Sequence, residues 1–157
     1  MSRWSKRLIL PLVVLLIVIQ ALQPARTNPP IASNHEMQTN LTVNRAVSEV
    51  LSRSCNDCHS NRTAWPWYSH VAPASWLVVS DVNRGRKALN FSEWTTYATE
   101  TQKKHLSEVC KEITEGEMPG FPYTLMHSAA TLRKTDIAAV CQWTEGTSQR
   151  LSAAKEE

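Results

Sequence analysis

The chain has 157 residues, 42% of them hydrophobic and 20% charged, with a formal net charge of +3. Arg3, Lys6 and Arg7 account for all of that charge, and basic and acidic residues balance beyond residue 22. The body of the protein therefore carries no nucleic-acid footprint, and its length suits one small domain.

The N-terminus pairs that basic leader with an apolar run from Leu8 to Leu22. About fifteen residues is short for a membrane span and matches the core of a signal peptide. No A-x-A-like cleavage site follows, and Gln23-Pro24 sits where a peptidase would act. Residues 1–22 are thus read as a signal peptide or an uncleaved N-terminal membrane anchor. Either places the remainder in the periplasm or on the extracytoplasmic face of the inner membrane. Residues 23–40 are polar and Pro-rich, without apolar period, and read as a flexible linker. The domain is expected over 41–146, with a frayed tail over 147–157.

Helical periodicity dominates that domain, which predicts an all-α fold of four to five helices. Val43, Ala46, Val47, Val50 and Leu51 share one helical face and lead into Cys55-Asn56-Asp57-Cys58-His59. This is C-x-x-C-H, the attachment pattern of a c-type haem. Two cysteines on one turn can each bond a haem vinyl group, and His59 then reaches the iron as an axial ligand. A zinc site would need a second ligand pair at matched spacing, and a thioredoxin-like dithiol would need a βαβ setting. Neither is visible.

Pro73 can open a second helix with an apolar face of Leu77, Val78 and Val82. Ser92 is the expected cap of a segment beginning Glu93-Trp94. Leu106, Val109, Cys110 and Ile113 form the clearest stripe, ended by Gly116. Gly116 to Tyr123 holds two prolines and two glycines, which predicts an irregular loop presenting Met118. A thioether there suits the second axial position of a His/Met cytochrome. His70 and His127 are rival ligands or pocket residues, while His105 is expected on a polar, solvated face. A last helix would carry Ile137, Val140 and Cys141 and stop at Gly146.

Trp65, Trp67, Tyr68, Trp76 and Trp94 either wall a haem or fill the core, and Arg86 could pair with a propionate. Cys110 and Cys141 each lie on an apolar stripe. They either form a disulfide, closing a loop of about thirty residues for about 3 kcal/mol, or stay buried thiols.

Taken in order, Cys55-x-x-Cys58-His59-Ser60, Trp65-Pro66-Trp67-Tyr68, Pro73-x-Ser75-Trp76, Gly85-Arg86, Leu89-Asn90-Phe91-Ser92-x-Trp94, Met118-Pro119, His127 and Trp143 resemble the bacterial haem-binding domain family of small exported cytochrome c-like proteins. The resemblance spans about residues 41–146. It implies one covalently attached haem c held by Cys55 and Cys58, with His59 and Met118 as iron ligands. Arg133 departs from the pattern, where a Ser or Thr cap would be usual before the last helix. The function expected is single-electron transfer between redox partner proteins, without enzymatic chemistry. The alternative is a haem sensor or peroxidase-like enzyme with an open or labile distal site.

Overall fold

Asn44 starts the body of the protein: its side chain accepts from the Val47 amide at 2.9 Å and caps a helix over Arg45–Ser54. The computed structural model describes residues 3–154 and is all-helical there, as the periodicity predicts. The helices are α1 (Arg3–Gln20), α2 (Met37–Asn40), α3 (Arg45–Ser54), α4 (Asn56–His59), α5 (Ala74–Ala88), α6 (Thr99–Glu115), α7 (Phe121–Met126) and α8 (Lys134–Ala153). The side chains of Arg3, Lys6 and Arg7 and the last three residues lie outside the described part.

The core forms where α3, α6 and α8 meet. Val47, Val50 and Leu51 of α3 pack with Leu106 and Ile113 of α6 and with Val140 and Trp143 of α8. Cutting Leu51 to Ala there would remove about 2–5 kcal/mol. Trp94, 1% exposed, completes this cluster and stands edge-on to Tyr97. Helix α5 packs separately, against α4. Among the described residues no helix is long and apolar enough to cross a membrane. The apolar part of α1, residues 8–19, measures about 18 Å at the helical rise, against a hydrocarbon core of about 30 Å.

Several expectations need correction. Residues 23–40, read as a flexible linker, lie hydrogen-bonded along the domain. Asn28 Nδ2 donates to the Thr63 carbonyl at 2.9 Å, and Met37 joins the core. The buried face of α5 is Ser75, Val79 and Val82, whereas Leu77 is 67% exposed. Asn90, not Ser92, caps the 3-10 turn Phe91–Thr96, accepting from the Ser92 amide. Gly116 ends α6 in the left-handed conformation (φ +78°), as expected. Gly146 does not end α8, which continues to Ala153, with Thr147 buried and Leu151 packed on the core. Part of the expected loop, from Phe121, is the helix α7, because Pro122 in a first turn forfeits no hydrogen bond. Arg133 needs no hydroxyl cap either. The buried Asp136 carboxylate accepts from the Arg133 amide at 2.9 Å and from the Arg53 guanidinium at 2.6 Å. The Arg133 guanidinium also donates to it at 3.1 Å, and these donors, the Arg133 side chain first, hold the carboxyl well below its ordinary range.

Cys110 and Cys141 form a disulfide with Cα atoms 4.9 Å apart, joining α6 to α8. In the chain-entropy account a loop of this length stabilises by about 3 kcal/mol. The expected result is that neither thiol alkylates in denaturant without reductant, and that reduction lowers the unfolding free energy by about that amount. Ready labelling of both without reductant would contradict the cross-link.

Candidate functional site

The C-x-x-C-H stretch folds as a single turn at the end of α3. The Cys55 carbonyl accepts from the amides of Cys58 (3.2 Å) and His59 (2.9 Å). Both thiols are free. Burial pushes them up, Cys55 to about 12 and Cys58 to about 11. That is opposite to the depressed thiol of a dithiol oxidoreductase.

Sequence-distant residues fix His59. Its Nδ1–H donates to the Leu89 carbonyl at 3.0 Å, which leaves Nε2 free with its lone pair. Burial lowers its pKa and keeps the ring neutral, the form that binds metals. The Leu89-Asn90-Phe91-Ser92 segment is itself held against the residues after His59. The Ser92 hydroxyl accepts from the Asn61 amide at 3.0 Å, and Asn90 Nδ2 donates to Asn61 Oδ1 at 2.9 Å.

Gly85 brings α5 onto this turn. A Cβ there would stand 2.5 Å from the Cys58 carbonyl oxygen and 3.0 Å from its carbon. Only a hydrogen fits. The next residue, Arg86, donates to the carbonyls of Ser60 and Thr27, the Asn28 side chain and the Thr63 hydroxyl, all within 2.8 Å. With its donors so engaged it clamps the turn to the N-terminal segment, and the expected pairing with a propionate is not what it is set up to do. Arg84 is exposed and pairs with Asp81.

A cavity of about 290 Å³ opens beside this turn. Cys55, Cys58, His59 and Met118 all line it, so the structure brings together the four residues singled out by sequence. Its apolar walls are Leu89, Phe91, Val109 and Ile113. Met118 follows Gly116, its amide donating to the Glu112 carbonyl at 3.2 Å, and it is 45% exposed. Ser54, whose buried hydroxyl has no partner, also borders the cavity.

The histidines sort differently from expectation. His105, expected in solvent, lines the cavity with its side chain 13% exposed, edge-on to Tyr97 at 4.9 Å and 3.3 Å from Glu108. His70 is exposed and borders neither this cavity nor its neighbour. His127 lines that second cavity, of about 260 Å³, with Tyr68 and Met126. The tryptophans do not wall the His59 cavity. Trp94 and Trp143 are core, Trp67 is exposed, and the Trp76 indole donates to the Leu22 carbonyl at 2.8 Å.

Walls so apolar, with so few fixed donors, suit a large flat prosthetic group better than a polar substrate. The protein is by class a helical cofactor-binding domain. The chain belongs to the haem-binding domain family, whose model matches residues 14–146. No curated protein and no solved structure matches it. The residues present fit a haem: a neutral imidazole with Nε2 free, a thioether, two thiols on one turn and an unpartnered Ser54 hydroxyl share one apolar space. Gly85, Tyr123 and His105 were missed as site residues by sequence reasoning. For Gly85 the one available signal was its place in the Gly85-Arg86 pair.

Proposed function

We propose that the protein is a mono-haem c-type cytochrome, exported or membrane-anchored, that passes single electrons between redox partner proteins outside the cytoplasmic membrane. The observation that carries this reading is the convergence of Cys55, Cys58, His59 and Met118 on one cavity, with His59 turned by the Leu89 carbonyl so that Nε2 is free. Haem supplies the one-electron iron couple. Cys55 and Cys58 would hold the porphyrin as thioethers, and His59 and Met118 would hold the iron. Leu89, Phe91, Val109 and Ile113 would give a bound haem an apolar setting, which disfavours added charge on the iron. The basic leader and the apolar α1 support export, on the side of the membrane where c-type haem is attached.

The ferric spectrum of the mature protein tests this. A low-spin form with the weak red band of sulfur-to-iron charge transfer is expected, absent in Met118→Ala, together with a lowered potential. Carbon monoxide should bind the ferrous variant about a hundredfold more readily than the wild type, whose sixth position is filled. A high-spin wild type that binds carbon monoxide freely would favour the sensor or peroxidase-like reading. His105, the other imidazole bordering this cavity, is then the residue to mutate.

A further inference from the structure

The Met118 loop and the C-x-x-C-H turn both line the cavity, and a hydrogen bond just downstream of the loop ties them. Tyr123, on the first turn of α7, donates its hydroxyl to Asp57 Oδ2 at 2.8 Å. Asp57 is the second intervening residue of C-x-x-C-H, and it does not move freely. Its Oδ1 accepts from the Ala64 amide at 2.9 Å, and its carbonyl accepts from the Thr63 hydroxyl at 2.6 Å. The Tyr123 ring borders both cavities and stacks on His127, centroids 4.3 Å apart and planes 27° from parallel. The Tyr68 hydroxyl, 3.4 Å from His127 Nδ1, backs that stack.

Met118 itself is too exposed to be held by its own packing. Its position is set by the chain on either side. Upstream, the amides of Glu117 and Met118 meet the Glu112 carbonyl at the end of α6. Downstream, the first fixed side-chain contact to the proximal turn is Tyr123 to Asp57. Burial and the neighbouring carboxylate raise the phenol above its ordinary range, so it stays a donor throughout the physiological range.

We infer that Tyr123 is a positioning residue that straps the Met118 loop to the haem-attachment turn, keeping the thioether over the iron. The inference rests on Met118 being the second axial ligand. A charge-assisted hydrogen bond of this kind shifts the balance between held and released loop by about tenfold or more.

The test uses the haem-loaded full chain and its Tyr123→Phe, Asp57→Leu and Asp57→Asn variants. Three readouts are taken: the ferric sulfur-to-iron band, the rate of carbon monoxide binding to the ferrous form, and the melting temperature of the unloaded protein. Tyr123→Phe and Asp57→Leu should weaken the band and bind carbon monoxide about tenfold faster than wild type. Asp57→Asn retains an oxygen for the Ala64 amide and an amide N–H to which the phenol can turn, so it keeps an uncharged hydrogen bond and should fall between wild type and Asp57→Leu. A Tyr123→Phe variant that melts lower but keeps the wild-type band and carbon monoxide rate overturns the strap and leaves methionine ligation standing. A wild type without the band removes methionine ligation and the strap together.

Discussion

Protein matured with its N-terminal segment in a host competent for c-type attachment will keep its haem through acid extraction and denaturing electrophoresis. Cys55→Ala and Cys58→Ala will each leave one thioether and a reduced covalent fraction, and the double variant none. The reason is local geometry. Cys55 closes α3 and Cys58 lies one turn on, in α4, so both thiols border one cavity. His59→Ala will damage attachment and coordination together, since it removes the imidazole that Leu89 aims. Folded but colourless wild-type protein from such a host would refute covalent attachment.

Gly85→Ala will lower the stability of the protein by about 3 kcal/mol, at the upper end of what overpacking costs, and its melting temperature by about 10 °C. On an exposed helix the same change stabilises by about 0.5–1 kcal/mol. Here the sign reverses because the new methyl meets backbone, the Cys58 carbonyl at 2.5 Å, which cannot turn aside as a side-chain tip would. α5 would have to retreat from the attachment turn, so haem incorporation should fall as well. Gly146→Ala is the internal control. It too lies inside a helix, its nearest neighbour is the flexible tip of Arg150 at 3.7 Å, and it should gain about 0.5–1 kcal/mol. Equal effects of the two substitutions would show that the close approach of α5 to Cys58 has no energetic consequence.

What was legible in the chain was local. C-x-x-C-H spans one turn and its residues find one another wherever the rest of the chain goes, and the helix faces of α3 and α6 repeat over short windows. The all-α class followed from such repeats. Partners far apart in sequence were not legible. His59 is aimed by a carbonyl thirty residues on, Asp57 meets a tyrosine sixty-six residues on, and Arg86 reaches back fifty-nine residues to Thr27. Composition misled in three places. A Pro-rich segment read as a tether although its backbone oxygens serve as hydrogen-bond acceptors for the domain. Gly146 read as a helix stop although helix interiors tolerate a glycine at modest cost. His105, on the polar face of α6, read as hydrated because the aromatic neighbour beside it, Tyr97, comes from the preceding turn.

The attachment of residues 20–30 to the body changes how the domain can meet another protein. Gln20 exchanges two hydrogen bonds with the backbone of Ala72, and the Trp76 indole holds the Leu22 carbonyl. Arg26 then reaches Ser69, and Asn61 reaches Pro30. A free chain of eighteen residues would let the domain wander with an end-to-end distance of about 23 Å and tumble through every orientation. With α1 kept as the proposed anchor, a domain pinned in this way would move with α1 as a strut rather than as a float on a line. Its reach would be short, but each collision would begin from the same pose, so the opening beside Met118 would meet an oncoming surface from a fixed direction. Speed of encounter would then be governed by where the strut stands, and less by a rotational search.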